Sequence, residues 1–201
     1  MREHMNRIEI VLALLIAMPT CVAHAETRRA LVVGINDYTA PDTAQQRYQM
    51  VTWRNLEGAV NDALAMKALL VTRGFQENNI VVLTNDKATR SNIIAQFRRV
   101  LIDPTRPGDI GVFYVAGHGS QMLNSLSSEP DRLDETLVAH PDPRRPNDRP
   151  DIRDKELARL LVEAADRGLV LTAIIDICHS GGLSRGVGNV TVRRAPPELK
   201  V

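Results

Sequence analysis

Cys178 lies in the segment Asp176-Ile177-Cys178-His179-Ser180-Gly181, and far upstream a Gly117-His118-Gly119 turn carries an imidazole. Each segment follows a strongly apolar run. A thiolate attacks a carbonyl carbon readily but needs a base to take its proton, and a histidine displayed nearby supplies one. The glycines flanking His118 let backbone approach a substrate closely, and the N–H groups of Gly119 and Cys178 are placed to meet a developing oxyanion. Donors of that kind are worth ~3 kcal/mol each in a transition state. His179 adjoins the thiol in sequence, but neighbouring side chains of an extended segment point to opposite faces, so His118 is the expected base. The pairing of Cys178 with His118 points to a cysteine peptidase.

Two residues so far apart meet only if the fold brings them together. Ala30 to Ile35 is a short β-branched run ending at the turn-prone Asn36-Asp37, and Val60, Ala63, Leu64, Leu70 and Val71 then share one helical face. Either Asn61 or Asp62 could cap or begin that helix. Ile80 to Leu83 reads as a second strand, after which Thr89 caps a helix carrying Ile93, Phe97, Val100 and Leu101 and closed by Pro104 and Pro107. Ile110 to Ala116 is a third strand and Glu135 to Ala139 a shorter one. Leu157, Leu160, Leu161 and Ala164 mark a helix that Asp154 would cap and Gly168 would end. Leu169 to Ile175 is the last long strand, apolar as a strand covered on both faces should be. The alternation implies an α/β fold with a parallel-dominated sheet between helical layers. In such sheets the carboxyl ends of the strands share one edge where ligand sites form, and His118 and Cys178 both follow strands.

The 201 residues, 44% hydrophobic and with a formal charge of +1, suit one α/β domain and give no electrostatic case for nucleic acid or anionic membranes. Arg2 and Arg7 precede the apolar stretch from Ile8 to Met18, and Ala23-His24-Ala25 offers small residues at signal-peptidase spacing. Residues 1–25 are therefore expected to be a signal peptide and the product to be exported, periplasmic or extracellular. The stretch falls short of the ~20 apolar residues a membrane helix needs, so no membrane association is expected after cleavage. Cys21 would leave with the signal and Cys178 would remain as a free thiol. His140, in a proline-rich segment, reads as a surface residue.

The segments Tyr114-Val115-Ala116-Gly117-His118-Gly119-Ser120-Gln121 and Asp176-Ile177-Cys178-His179-Ser180-Gly181 resemble the paired signatures of metacaspases and bacterial caspase-like cysteine peptidases. Leu31-Val32-Val33-Gly34-Ile35, Leu56 to Ala63 and Asp134-Glu135-Thr136-Leu137 extend the likeness from about Arg28 to Gly182. The resemblance implies a caspase-like three-layer sandwich over residues 26–185, the large catalytic subunit region. It implies that Cys178 is the nucleophile and His118 the general base and acid. It further implies that Asp62 and Asp176 line a pocket accepting arginine or lysine, as a carboxylate pair would.

Many metacaspases bind calcium through acids near an Asp-Asp-Glu-Leu segment and a later acid. This chain reads Asp154-Lys155-Glu156-Leu157 and has Arg185 in the later region. Asp134 and Asp154 remain as candidate ligands, too few for a hard divalent ion, so no cofactor is expected. Residues 186–201 read as a flexible tail, with the small-subunit region absent. A small-subunit partner or self-association is therefore an expected accompaniment to the peptide or protein substrate. Endopeptidase action after Arg or Lys is the leading reading, and an inactive caspase-like fold that binds peptides or partners is the alternative. Zinc held by Cys178, His179 and His118 lacks ligand spacing, and no Gly-x-Ser-x-Gly or phosphate-loop fingerprint is present.

Overall fold

The computed structural model describes residues 25–39, 53–123, 132–145 and 151–177. The expected signal segment up to His24, the tail, Cys178, His179 and Arg185 lie outside the described residues. Four parallel strands form the main sheet: β1 (Arg28–Gly34), β2 (Ile80–Thr84), β3 (Ile110–Gly117) and β7 (Val170–Ile177), in the order β2-β1-β3-β7. Between β3 and β7 the chain builds a second, antiparallel sheet from β4 (Gly119–Leu123), β5 (Leu133–Val138) and β6 (Asp151–Arg153). Three helices complete the layers: α1 (Ala59–Thr72), α2 (Arg90–Phe97), which runs into a wider turn over Arg98–Ile102, and α3 (Asp154–Asp166).

Strand periodicity sorts the core into two halves. Ala30, Val32, Val112, Tyr114 and Ala116 face α1 with its Ala59, Ala63 and Leu70. The alternate residues Leu31, Val33, Phe113 and Val115, with Ala173 and Ile175 of β7, face Ile93 and Phe97 of α2 and Leu157 and Leu161 of α3. Helices thus cover both faces of β1 and β3, which is why those strands read as continuous apolar runs. Gly34 sets the closeness of α1. A Cβ there would stand 2.5 Å from the Ala59 carbonyl oxygen and 2.7 Å from the Ala63 Cβ.

Several expectations need correction. The buried face of α1 is Ala59, Ala63 and Leu70, while Leu64 and Val71 are exposed, because α1 packs on β1 through small residues and turns its bulkier ones outward. The helix begins at Ala59, so Asp62 lies within its first turn and neither Asn61 nor Asp62 caps it. The cap comes from elsewhere: Val60 N–H donates to Asn36 Oδ1 at 3.1 Å. Thr89 does cap α2, accepting the Asn92 N–H at 3.4 Å. Asp154 is the first residue of α3 rather than its cap, a place taken by Arg153. His140 is buried, its N–H on the Ala88 carbonyl at 3.0 Å and its Nδ1 2.8 Å from the Pro141 oxygen.

The last strand also differs from expectation. It runs on to Ile177, and among the described residues its two faces are unequally covered: Ala173, Ile175 and Ile177 are buried, whereas on the other face Val170, Thr172 and Asp176 are exposed and Ile174 is half-buried. Helix α1 spans β1, β2 and β3. Among the described residues the α1 side of β7 is consequently covered only in part, at Ile174.

Candidate active site

His118 follows β3 directly, at the carboxyl edge of the main sheet. Its N–H donates to the Tyr38 hydroxyl at 2.7 Å, and its ring lies between Tyr38, with centroids 4.8 Å apart, and Trp53, with centroids 5.1 Å apart. The imidazole Nε2 is 2.7 Å from the Arg54 carbonyl oxygen. A carbonyl only accepts, so Nε2 carries the proton of the neutral ring and Nδ1 keeps the basic lone pair. The backbone, not a carboxylate, therefore fixes the tautomer of this histidine.

The loop that brings Tyr38 to His118 is itself held from β2. Asn85, in the left-handed conformation with φ 44°, accepts the Asn36 and Asp37 N–H groups on Oδ1 at 2.9 and 3.1 Å. Tyr38 N–H donates to Asn55 Oδ1 at 2.8 Å, and Leu56 N–H to the Asn36 carbonyl at 2.8 Å. Tyr38 and the segment carrying Trp53 and Arg54 are thereby joined. Gly117 makes room for the contact, since a Cβ there would stand 2.5 Å from the Tyr38 hydroxyl oxygen. Burial pushes the Tyr38 phenol well above its ordinary range and the His118 amide pulls it back only in part, so it stays a neutral hydroxyl.

On the α1 side of the same edge, Asp62 and Asp176 are both near enough to Tyr114 for their charges to act on it. The alternation that turns Tyr114 toward α1 also places Asp176 on that face, where it is exposed. Asp62 faces it from the first turn of α1. Burial, then the Asp176 charge, then the Asp62 charge push the Tyr114 hydroxyl up to about 12. The phenol thus registers both carboxylates at once. Both aspartates are exposed, and two acids whose charges act on one phenol are chemically suited to a guanidinium or ammonium group.

Cys178 lies outside the described residues. The register of its strand is nevertheless set up to the preceding residue, with Gly117 paired to Ile177 and Ala116 to Asp176. In sequence, His118 follows Gly117 and Cys178 follows Ile177. Gly119, expected as an oxyanion donor, is buried and opens β4 opposite Leu137, and the His118 carbonyl accepts the Val138 N–H at 3.0 Å.

The calcium candidates occupy a different corner. Asp134 on β5 and Asp154 at the start of α3 are both buried. Lys155 Nζ donates to Asp134 Oδ1 and lies 3.6 Å from Asp154 Oδ2, while Arg153 Nη1 donates to Asp134 Oδ2 at 2.9 Å. Both oxygens of Asp134 are thus engaged by cations of the chain itself. Among the described residues no three His, Cys, Asp or Glu side chains converge on a common point. A divalent ion that takes six to eight oxygens finds ammonium and guanidinium groups where its ligands should be, and this donor set does not fit it.

Sequence reasoning missed Tyr38, Trp53, the Arg54 carbonyl, Asn85 and Tyr114. One signal was available: the chain has only three tyrosines and one tryptophan, and Tyr38 follows β1 much as His118 follows the adjacent β3.

Comparison with known proteins agrees with this geometry. A model of the metacaspase peptidase C14 domain matches residues 28–184. Metacaspase-1 of Schizosaccharomyces pombe is 32% identical over 162 residues, covering 77% of this chain and 34% of that protein. Metacaspase-9 of Arabidopsis thaliana is 36% identical over 164 residues, covering 78% of this chain and 44% of the relative. A crystal structure of the Geobacter sulfurreducens protein GSU0716 is similar with a TM-score of 0.59 and 27% identity, over 77% of this chain and 52% of that one. The chain thus spans less than half the length of these two curated relatives. With the sheet order, the histidine at the β3 edge and the match over residues 28–184 in agreement, the chain belongs to the metacaspase peptidase C14 domain family.

Proposed function

We propose that this chain is a cysteine-type endopeptidase that cleaves after arginine or lysine. The observation carrying the reading is the register of β3 against β7. Paired strands lie ~4.8 Å apart and one peptide unit spans ~3.8 Å, so the residues following Gly117 and Ile177 start from neighbouring positions. In the proposed reaction His118 Nδ1 takes the Cys178 thiol proton and the sulfur bonds to the scissile carbonyl carbon. The carbonyl electrons move to an oxyanion facing the N–H groups of Gly119 and Cys178. Collapse of that intermediate breaks the C–N bond, and His118 returns the proton to the leaving amine. Water, deprotonated by the same nitrogen, then releases the acyl group and restores the thiol.

Asp62 and Asp176 would take the cationic side chain before the scissile bond, because two carboxylates attract a guanidinium and repel an acid. Purified chain is assayed against peptides ending in arginine, lysine or aspartate. Cys178→Ala and His118→Ala should each remove essentially all turnover, while His179→Ala should retain much of it. Undiminished turnover in Cys178→Ala would defeat the nucleophile assignment, and preferential cleavage after aspartate the specificity. Peptide binding by the wild type without turnover would favour a non-catalytic peptide-binding role.

A further inference from the structure

We propose that Lys155, assisted by Arg153, is the resident cation of the acidic corner between β5 and α3. A tethered ammonium there does the neutralising and joining work that a divalent ion would otherwise do, and the fold does not take up calcium at this place. The proposal is independent of peptide turnover.

The position of Lys155 in its helix is the first argument. It is the second residue of α3, where exposed backbone N–H groups make the electrostatic field unfavourable to a cation. Asp154 and Glu156 on either side suit that place, and Lys155 does not. Its ammonium instead reaches across to β5, donating to Asp134 Oδ1 and standing 3.6 Å from Asp154 Oδ2. Lys155 therefore ties the strand opposite to the first residue of its own helix.

Charge is the second argument. Asp134 and Asp154 bring two negative charges into a buried place, and Lys155 and Arg153 bring two positive ones. Those four side chains are already neutral as a group. A divalent ion would leave an excess of two positive charges and would have to displace the ammonium from Asp134 to gain an oxygen ligand. Burial opposes both.

The corner matters because of what β5 touches. Two residue pairs along the β4–β5 ladder separate Asp134 from Gly119, and Val138 on the same strand donates its N–H to the carbonyl of His118. Arg90 of α2 adds a further tie, bonding Glu156 and the Asp151 carbonyl. The ion pair thus anchors the antiparallel sheet to α3 and so steadies the strand that meets the histidine.

The test is calcium titration of the purified full chain, read by calorimetry and by thermal melting with a chelator as reference. Wild type should give no saturable heat, and its melting temperature should be the same with millimolar calcium as with chelator. Lys155→Asp restores an oxygen ligand and adds negative charge. It should melt lower than wild type in chelator and rise by roughly 5 °C or more once calcium exceeds its Kd about a hundredfold. Should Lys155→Asp fail to fold, Lys155→Arg and Lys155→Met separate the alternatives: the first should melt near wild type and the second several degrees lower. Saturable calcium binding by the wild type with a rise in melting temperature would overturn the proposal. So would a folded Lys155→Asp that ignores calcium, or equal melting of Lys155→Arg and Lys155→Met.

Discussion

The molecule holds two pairs of aspartates, and they differ in who supplies the positive charge. Asp134 and Asp154 are buried and meet Lys155 and Arg153 from the adjoining β6–α3 segment, so their charge is settled when the chain folds. Asp62, in the first turn of α1, and Asp176, on β7, are exposed and both act on the Tyr114 hydroxyl. Acid pairs become structural where burial forces compensation from within, and they become receptors where solvent can be exchanged for a partner. The same two-carboxylate chemistry therefore gives a joint at one corner and a proposed specificity pocket at the other.

Removing the exposed pair gives the largest expected effect. Asp62→Asn with Asp176→Asn should lower kcat/KM toward an arginine peptide by about 3 kcal/mol, roughly a hundredfold, since the substrate cation loses a desolvated partner. Thermal melting should scarcely change, because both side chains are exposed. A large loss of stability with specificity intact would reverse the assignment of the two pairs.

The buried pair should behave in the opposite way. Asp134→Asn leaves Lys155 and Arg153 without the carboxylate that both bond, and it should cost about 2 kcal/mol of stability, below the usual figure for a broken buried pair because both cations are partly exposed. That is a fall of roughly 4–8 °C in melting temperature for a domain of this size. Steady-state kinetics well below the melting range should show kcat/KM for arginine peptides close to wild type. A hundredfold kinetic loss without thermal loss would place Asp134 in the substrate cleft instead.

How legible these regions were in the sequence follows from the same physics. β1 and β3 are covered on both faces, so an unbroken apolar run announces them. β4 buries only Gly119 and leaves its other residues half-buried or exposed, and β6 has three residues, so both exist through pairing with β5 and neither is signalled locally. Asp62 and Asp176 could be named from the metacaspase resemblance, but the exposure of Asp176 on β7 is a property of where α1 lies. Tyr38 and Trp53 escaped notice because their role depends on contacts with His118 made across separate loops. The Arg54 carbonyl belongs to the backbone, and no side-chain motif reports it.

The smallest effect tests whether Asp62 and Asp176 truly share one site. Burial, Asp176 and Asp62 together push the Tyr114 hydroxyl up to about 12 from 10.0, so the folded chain holds this proton more tightly than the unfolded chain does. Its contribution to stability is complete below pH 10 and is lost as the pH rises toward 12. Tyr114→Phe should reduce that alkaline loss, with kcat/KM at neutral pH within about threefold of wild type, under 1 kcal/mol. The sharper measurement is the phenolate absorbance of wild type titrated against Tyr114→Phe, repeated in Asp62→Asn and Asp176→Asn backgrounds. Each substitution removes a negative charge that opposes ionisation, so each should lower the Tyr114 midpoint, Asp176→Asn by more than Asp62→Asn. The burial contribution should keep the midpoint above that of a free tyrosine even in the double variant. A midpoint that responds to one aspartate and ignores the other would separate the pair and leave a single carboxylate to receive the substrate cation.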